Sequence, residues 1–289
     1  MTWVENNTKS IQKIRAYISD FQPHKPTLFQ FFQGEENPLF PDTVGSDRGI
    51  GILLFFCALY QNISESKLIE LLVFLRSEFG TDLFKLNRLP FEELQKKIDS
   101  RKELSVWDLK SKAPGILRSV CDFFYAKGRV PRWIESCLDA EQCVQILSDE
   151  IFMMGKTSST KGKARYFIWL MTQLPGVIPD PFWGNKMNLP VTQGQVRFLR
   201  EFGPLKDKKK SPWNTPEEKQ DYFNRFYRML FPGKSWMVYI SLDSYLKPTR
   251  ESSKSSFLLP EFKSWRCRDL LGGCLNCALV ADCPGRVEF

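Results

Sequence analysis

An all-α fold is what this sequence predicts, on three observations. Apolar residues recur at i, i+3 and i+4 in one segment after another. Alternation with a period of two, the mark of a half-buried strand, is almost absent. Cap residues and prolines stand where those periodic segments begin. No internal repeat is found either, so a solenoid is not expected.

Taken in order, the first helix is predicted over 10–21, with Ile11, Ile14, Tyr17 and Ile18 on one face. A Pro- and Gly-rich connection, 23–45, leads to 49–61. The text GIGILLFFCALYQ is apolar almost all round, as a central buried helix would be. Ser64 or Ser66 caps the next helix, whose Leu68, Leu71, Leu72 and Leu75 repeat in phase and which ends near Gly80. Pro90 is placed in the first turn of FEELQKKI, where a missing amide donor costs nothing. Further helices are predicted over 113–126, 140–154, 163–174, 194–202, 216–230 and 235–246. Two stretches read as loops or insertions: 204–216, which holds the lysine-rich run from Lys206 to Lys210, and the serine-rich 248–260.

Composition bounds the function. With 289 residues the chain can bury a sizeable core. Forty-one Lys and Arg against 33 Asp and Glu give a net charge of +8, which suits a polyanionic partner. No apolar run approaches the roughly 18–20 residues that span a bilayer, so the reading is a soluble protein with no membrane partner. The text MTWVENNTKSIQKIRAY has no apolar stretch after a basic start. A cytoplasmic setting is therefore expected, nucleoid-associated if the cell is prokaryotic, and disulfides are not.

The most specific pattern is a C-x6-C-x2-C-x5-C run formed by Cys267, Cys274, Cys277 and Cys283. Spacers this short bring four thiols to a common centre, which fits an iron–sulfur cluster or a structural zinc. Zinc modules pair two C-x2-C knuckles across a longer gap, whereas a single C-x2-C here has spacers of six and five. The spacing therefore favours a cubane 4Fe-4S cluster, with zinc the alternative. Cys57, Cys121, Cys137 and Cys143 have no ligand spacing and read as buried core thiols.

That spacing, with Arg266, Arg268 and Arg286 beside it, resembles the cluster loop of the endonuclease III and adenine glycosylase branch of the helix-hairpin-helix DNA glycosylases. The resemblance implies a two-lobed helical fold over 1–260, in which the N- and C-terminal helices form one lobe and residues from about 50 to 155 the other. A hairpin would lie at about 153–171 and the cluster loop at 261–289. It also implies double-stranded DNA carrying altered bases as the partner, a monomer, and no nucleotide cofactor. The GKT at 155–157 supports that last point, because the first glycine of a phosphate loop would fall on Glu150.

Four stretches are set beside the family's pattern. Gln61, after ALY, matches a glutamine wedged into the duplex; its other reading is a helix-end residue bonding a local carbonyl. The adenine-specific acid falls on Phe56 and is absent. The hairpin matches MMGKTSSTKGKARYFIWLM, where Gly155, Gly162, Lys156, Lys161, Lys163 and Arg165 supply a glycine turn and cations for phosphate. The family's LPGVG text is not reproduced there. LPGVI at 174–178 has its letters but runs into prolines 179 and 181, so no helix is expected to start in phase.

In PVTQGQVRFL, the family's catalytic aspartate falls on Gln193, whose amide cannot supply the negative charge that steadies a cationic sugar. Asp180 and Asp243 are the substitute acids, each otherwise a loop or cap residue. A lyase lysine would fall near Gly162, with Lys161 and Lys163 flanking that point but neither upon it, so any activity is expected to be monofunctional. His24 sits in a proline-flanked loop and offers little to catalysis. The run from Lys206 to Lys210 could lie along phosphates or simply be solvated, and Trp183 and Trp213 could stack on an extruded base or belong to the core.

Overall fold

The computed structural model describes residues 8–19, 27–35, 38–61, 63–80, 82–105, 107–174, 176–178, 187–206 and 211–243. Among these residues every regular element is a helix. They divide into two compact units, one built from both ends of the chain, Met1–His24 and Asn188–Phe289, the other from Lys25–Met187.

In the unit formed by the chain ends, α1 (Thr8–Ser19) buries the four residues its periodicity singled out, Ile11, Ile14, Tyr17 and Ile18. Later in the chain come α2 to α8, in the other unit, and then α9 (Gln193–Glu201), α10 (Pro216–Leu230) and α11 (Ser235–Asp243). The apolar α11 is the hub: α1, α9 and α10 all pack on it. Tyr17 donates its hydroxyl to the Ser241 carbonyl at 3.3 Å, and its ring meets that of Phe198 at 5.6 Å. Both α9 and α10 open with a capping box, Thr192 with Gln195 and Thr215 with Glu218, each satisfying two otherwise orphaned amides. The buried Asn224 binds the segment before α9 on both sides. Its Oδ1 accepts from the Leu189 amide at 2.8 Å and its Nδ2 donates to the Leu189 carbonyl at 3.0 Å.

In the other unit, α2 (Asp47–Leu59) is the centre and buries every residue from Gly49 to Leu59. Ser46 caps it by accepting from the Gly49 amide at 3.0 Å. Around it lie α3 (Glu65–Phe79), α4 (Phe91–Asp99), α5 (Ala113–Lys127), α6 (Val130–Glu135), α7 (Ala140–Glu150) and α8 (Gly162–Thr172). Of these, α3, α5, α6 and α8 pack on α2 directly. Gly51 permits the closest approach, because a Cβ there would collide with the Phe84 ring and sit 2.8 Å from that of Phe124. Each fully buried Ile, Leu or Phe of α2 contributes about 1.5–3 kcal/mol, so this helix anchors the unit.

Several expectations are corrected in detail. The helix expected over 140–154 ends at Glu150, because Ile151 turns extended (φ −101°, ψ 125°), and the left-handed Met153 (φ 63°) and Gly155 (φ 118°) beyond it keep the chain from resuming the helix. Pro90 is the residue before α4 rather than a member of its first turn. The connection 23–45 contains a 3-10 helix, Thr27–Phe31. Helix α6 was not foreseen; its six residues are too few for a periodicity to emerge. No helix among the described residues is long and apolar enough to cross a membrane.

Candidate nucleic-acid interface

The sequence singled out Gln61 and the lysines of 156–163 from stretches a hundred residues apart, and α2 and α8 bring two of them together. Lys163, in the first turn of α8, donates its Nζ to the Ala58 carbonyl near the C-terminus of α2 at 2.8 Å. That carbonyl is among the last of the helix, so the ammonium acts as a C-terminal cap. Gln61 follows two residues beyond the end of α2 and is held by its backbone, whose carbonyl accepts from Trp107 Nε1 at 3.0 Å. That bond comes from a residue distant in sequence rather than a local one, and the half-exposed Gln61 side chain remains at the surface.

Aromatic rings extend this neighbourhood. Phe56 stacks on Tyr60 at 5.4 Å, Tyr60 on Tyr166 at 6.3 Å, and Tyr166 on Trp169 at 5.6 Å. Tyr60 keeps 36% of its surface exposed while Phe56 and Trp169 are buried, so the ladder has both ends in the core and reaches the surface at Tyr60, beside Gln61. Sequence reading passed over Tyr60 and Tyr166. The available signal was that Tyr60 adjoins Gln61 and that Tyr166 lies three residues, about one helical turn, beyond Lys163.

Burial governs the Lys163 amine. Removed from most of its water, it is pulled down from the ordinary 10.5 to about 8, with the nearby Cys57 thiol opposing the shift. About a tenth of it is therefore uncharged at pH 7. A nucleophilic amine needs that condition.

The stretch between α7 and α8 is a closed loop over 151–161 rather than the tight glycine turn that was expected. Gly155 is required for two reasons: its φ of 118°, and an added Cβ that would stand 3.2 Å from the Lys161 Cα. Lys161 takes a left-handed conformation (φ 46°) at the start of α8, and no side chain caps that helix. Gly162 is the first residue of α8, so the amides of that first turn have no carbonyl ahead of them within the helix, and the exposed Lys156 is in the preceding loop. Lys161 leans on the Gln145 side chain.

Arg165 departs from its expected place. It is 7% exposed, and its guanidinium forms a two-pronged pair with Glu141 of α7, at 2.5 and 2.7 Å, while Nε donates to the Thr160 carbonyl at 2.9 Å. Its charge locks α7, the loop and α8 together instead of facing a phosphate. Of the 174–178 text, Leu174 and residues 176–178 are described and none of them is helical, α8 having ended at Thr172.

In the other unit, Gln193 is the first residue of α9, directly after the Thr192 cap. Gln195, fully buried, completes the capping box and donates Nε2 to the Tyr239 carbonyl at 3.1 Å. Trp213 packs on Tyr222 and Phe223 of α10 at 5.6 and 5.7 Å, which favours its core reading. Lys206 is exposed. The cluster cysteines Cys267, Cys274, Cys277 and Cys283 lie outside the described residues, as do Arg266, Arg268 and Arg286. The same holds for Asp180, Trp183, His24 and the remainder of the charge run, Asp207, Lys208, Lys209 and Lys210. Among the described residues no group of three or more His, Cys, Asp or Glu is placed to hold a metal, and Cys57, Cys121, Cys137 and Cys143 are buried free thiols.

Fold and site thus define an all-α chain of two units, one of which carries a basic loop, an uncapped helix start and a buried amine. Comparison of the chain with family models, with curated proteins and with solved structures returns no match.

Proposed function

We propose that this chain is a DNA-binding iron–sulfur protein related to the helix-hairpin-helix DNA glycosylases, which engages altered bases in duplex DNA. One observation carries the reading: Gln61 and Lys163, the residues at or beside two of the family's functional positions, lie within one small neighbourhood at the junction of α2 and α8. The C-terminal cysteine spacing supports it. Cys267, Cys274, Cys277 and Cys283 form a donor set of four thiolates, suited to a 4Fe-4S cluster and, failing that, to zinc. Such a group would brace the basic segment of Arg266 and Arg268 against the phosphate backbone.

The chain's own residues divide the work as follows. Lys156, Lys161 and the first-turn amides of α8 bind phosphate. Gln61 and Tyr60, at the lip of the aromatic ladder, face the bases. Gln193, where the family has an aspartate, offers no negative charge to the cationic sugar that forms as the base departs, so base excision is altered or lost unless Asp180 supplies the acid. Against the monofunctional expectation, Lys163, beside the lyase position rather than upon it, is equipped for a carbonyl substrate such as a ring-opened abasic sugar: its neutral amine adds to the aldehyde carbon, and water leaves to give an imine. The second reading, a cluster-bearing redox or structural DNA-binding protein without excision, takes Gln193 at face value.

A panel of oligonucleotides carrying deaminated, oxidised, alkylated and abasic lesions tests the reading, with borohydride present to trap an imine. The expected result is little base excision by the native chain, a gain in Gln193→Asp, and trapping on abasic DNA that vanishes in Lys163→Met. Efficient excision by the native chain, unaffected by Asp180→Asn, would show that Gln193 does not stand where the catalytic acid should be.

A further inference from the structure

The chain leaving α2 is tethered at Ala58, Tyr60 and Gln61, and the first two tethers involve α8. Lys163 donates to the Ala58 carbonyl at 2.8 Å, and the Tyr60 ring pairs with those of Phe56 and Tyr166, at 5.4 and 6.3 Å. The third tether comes from another part of the unit. Trp107 Nε1 donates to the Gln61 carbonyl at 3.0 Å, across 46 residues of sequence. Only 4% of Trp107 is exposed, so its indole has little room to turn. Its main chain is fixed on both sides: the amide donates to the Leu104 carbonyl at 3.0 Å and the carbonyl accepts from the Lys110 amide at 3.1 Å. The 3-10 turn that follows, Lys110–Lys112, packs on α4 and α5. Trp107 thus belongs to the frame of the unit, while Gln61 is at its surface.

We infer that Trp107 is a positioning residue of the site: its indole N–H fixes the Gln61 main chain, so that the Gln61 side chain meets a gap or an extruded base in the duplex from a rigid mount. This rests on the reading of Gln61 as a residue that faces the bases. Gln61 stands two residues past the end of α2, where Tyr60 has already turned extended (φ −71°, ψ 100°) and the helix's own hydrogen bonds have stopped. A long polar side chain on an untethered main chain would have to be ordered on entering a base stack, and that ordering weakens binding. With its carbonyl bonded to a buried donor, part of that freedom is given up on folding instead. Breaking the bond would leave the indole N–H buried without a partner, which keeps the tether in place.

The role is separable from affinity. Phosphate contacts supply most of the binding and its salt dependence, whereas contacts to bases discriminate one site from another. Through Gln61, Trp107 acts on the second and leaves the first alone.

The test uses the full chain as purified and a duplex with 2-aminopurine opposite an abasic-site analogue, a base that fluoresces more when its stacking neighbours are displaced. At saturation the native chain should raise the fluorescence, and Gln61→Ala should lose that rise. Trp107→Phe keeps an aromatic ring and removes the donor; it should lose most of the rise while binding with the native salt slope. A merely structural role for Trp107 would lower the thermal midpoint and leave the rise in place. A full rise in Trp107→Phe, with Gln61→Ala losing it, would overturn this inference and leave the role of Gln61 standing. No rise with the native chain, or a rise that Gln61→Ala retains, would overturn the reading of Gln61 and this inference with it. Should Trp107→Phe fail to fold, benzothienylalanine placed at position 107 keeps the shape of the ring without the N–H and is held to the same outcomes.

Discussion

Replacing Lys163 by methionine keeps the unbranched stem and removes the charge, so it isolates what burial of this amine costs. In the folded chain the amine sits near 8 rather than 10.5 because it is desolvated. Between those two values the unfolded chain binds more protons than the folded one, and stability rises with pH across that window. Below pH 8 the amine is protonated in both states and the whole cost of burying the charge is present. Above 10.5 it is neutral in both and the cost is gone. At about 1.4 kcal/mol per pH unit the gap corresponds to roughly 3 kcal/mol. Because the amine keeps part of its hydration and donates to the Ala58 carbonyl, roughly 1–2 kcal/mol is expected. The assay is urea denaturation of the native chain and Lys163→Met from pH 7 to about pH 10.5, read as the difference between them so that other titrating groups cancel. The native chain should gain on the variant by that amount as pH rises. A difference that stays flat would refute the reasoning.

The remaining predictions touch other parts of the chain. Gln195→Ala leaves the Thr192 amide and the Tyr239 carbonyl without their partner and should destabilise by roughly 2–4 kcal/mol in urea denaturation. Gly51→Ala forces a methyl group into the Phe84 and Phe124 rings and should cost about 1–3 kcal/mol, visible as a lowered thermal midpoint. Cys277→Ser should strip iron and acid-labile sulfide from anaerobically purified chain and abolish its brown colour. Zinc in place of iron in the native chain would move the assignment to the structural alternative.

Much of the fold was legible because the helices carry their own punctuation. Ser64 caps α3, Gly80 ends it with φ 93°, and Thr215 and Pro216 open α10 at the residue expected. The 49–61 segment, apolar almost all round, called for burial on every side, and Gly49–Leu59 of α2 has it. The start of the 140–150 helix was equally plain, but its end depends on the extended backbone of Ile151, which composition does not reveal. The site was legible only in pieces. Residue type and spacing nominated Gln61 and Lys163, but the hydrogen bond that draws Lys163 to the end of α2 depends on packing between distant segments. For Arg165 residue type misled: an arginine in a basic stretch reads as a phosphate ligand until its tertiary partner, Glu141, comes into view.

Binding of the iron-loaded chain to a fluorescent duplex containing an abasic-site analogue, followed by anisotropy over a range of salt concentrations, tests the central claim most directly. The account predicts binding whose logarithm falls linearly with that of the salt concentration. Lys156→Glu with Lys161→Glu should then weaken affinity and flatten that slope by about two phosphate contacts. Absence of binding at low salt, or a slope that both charge reversals leave unchanged, would contradict it.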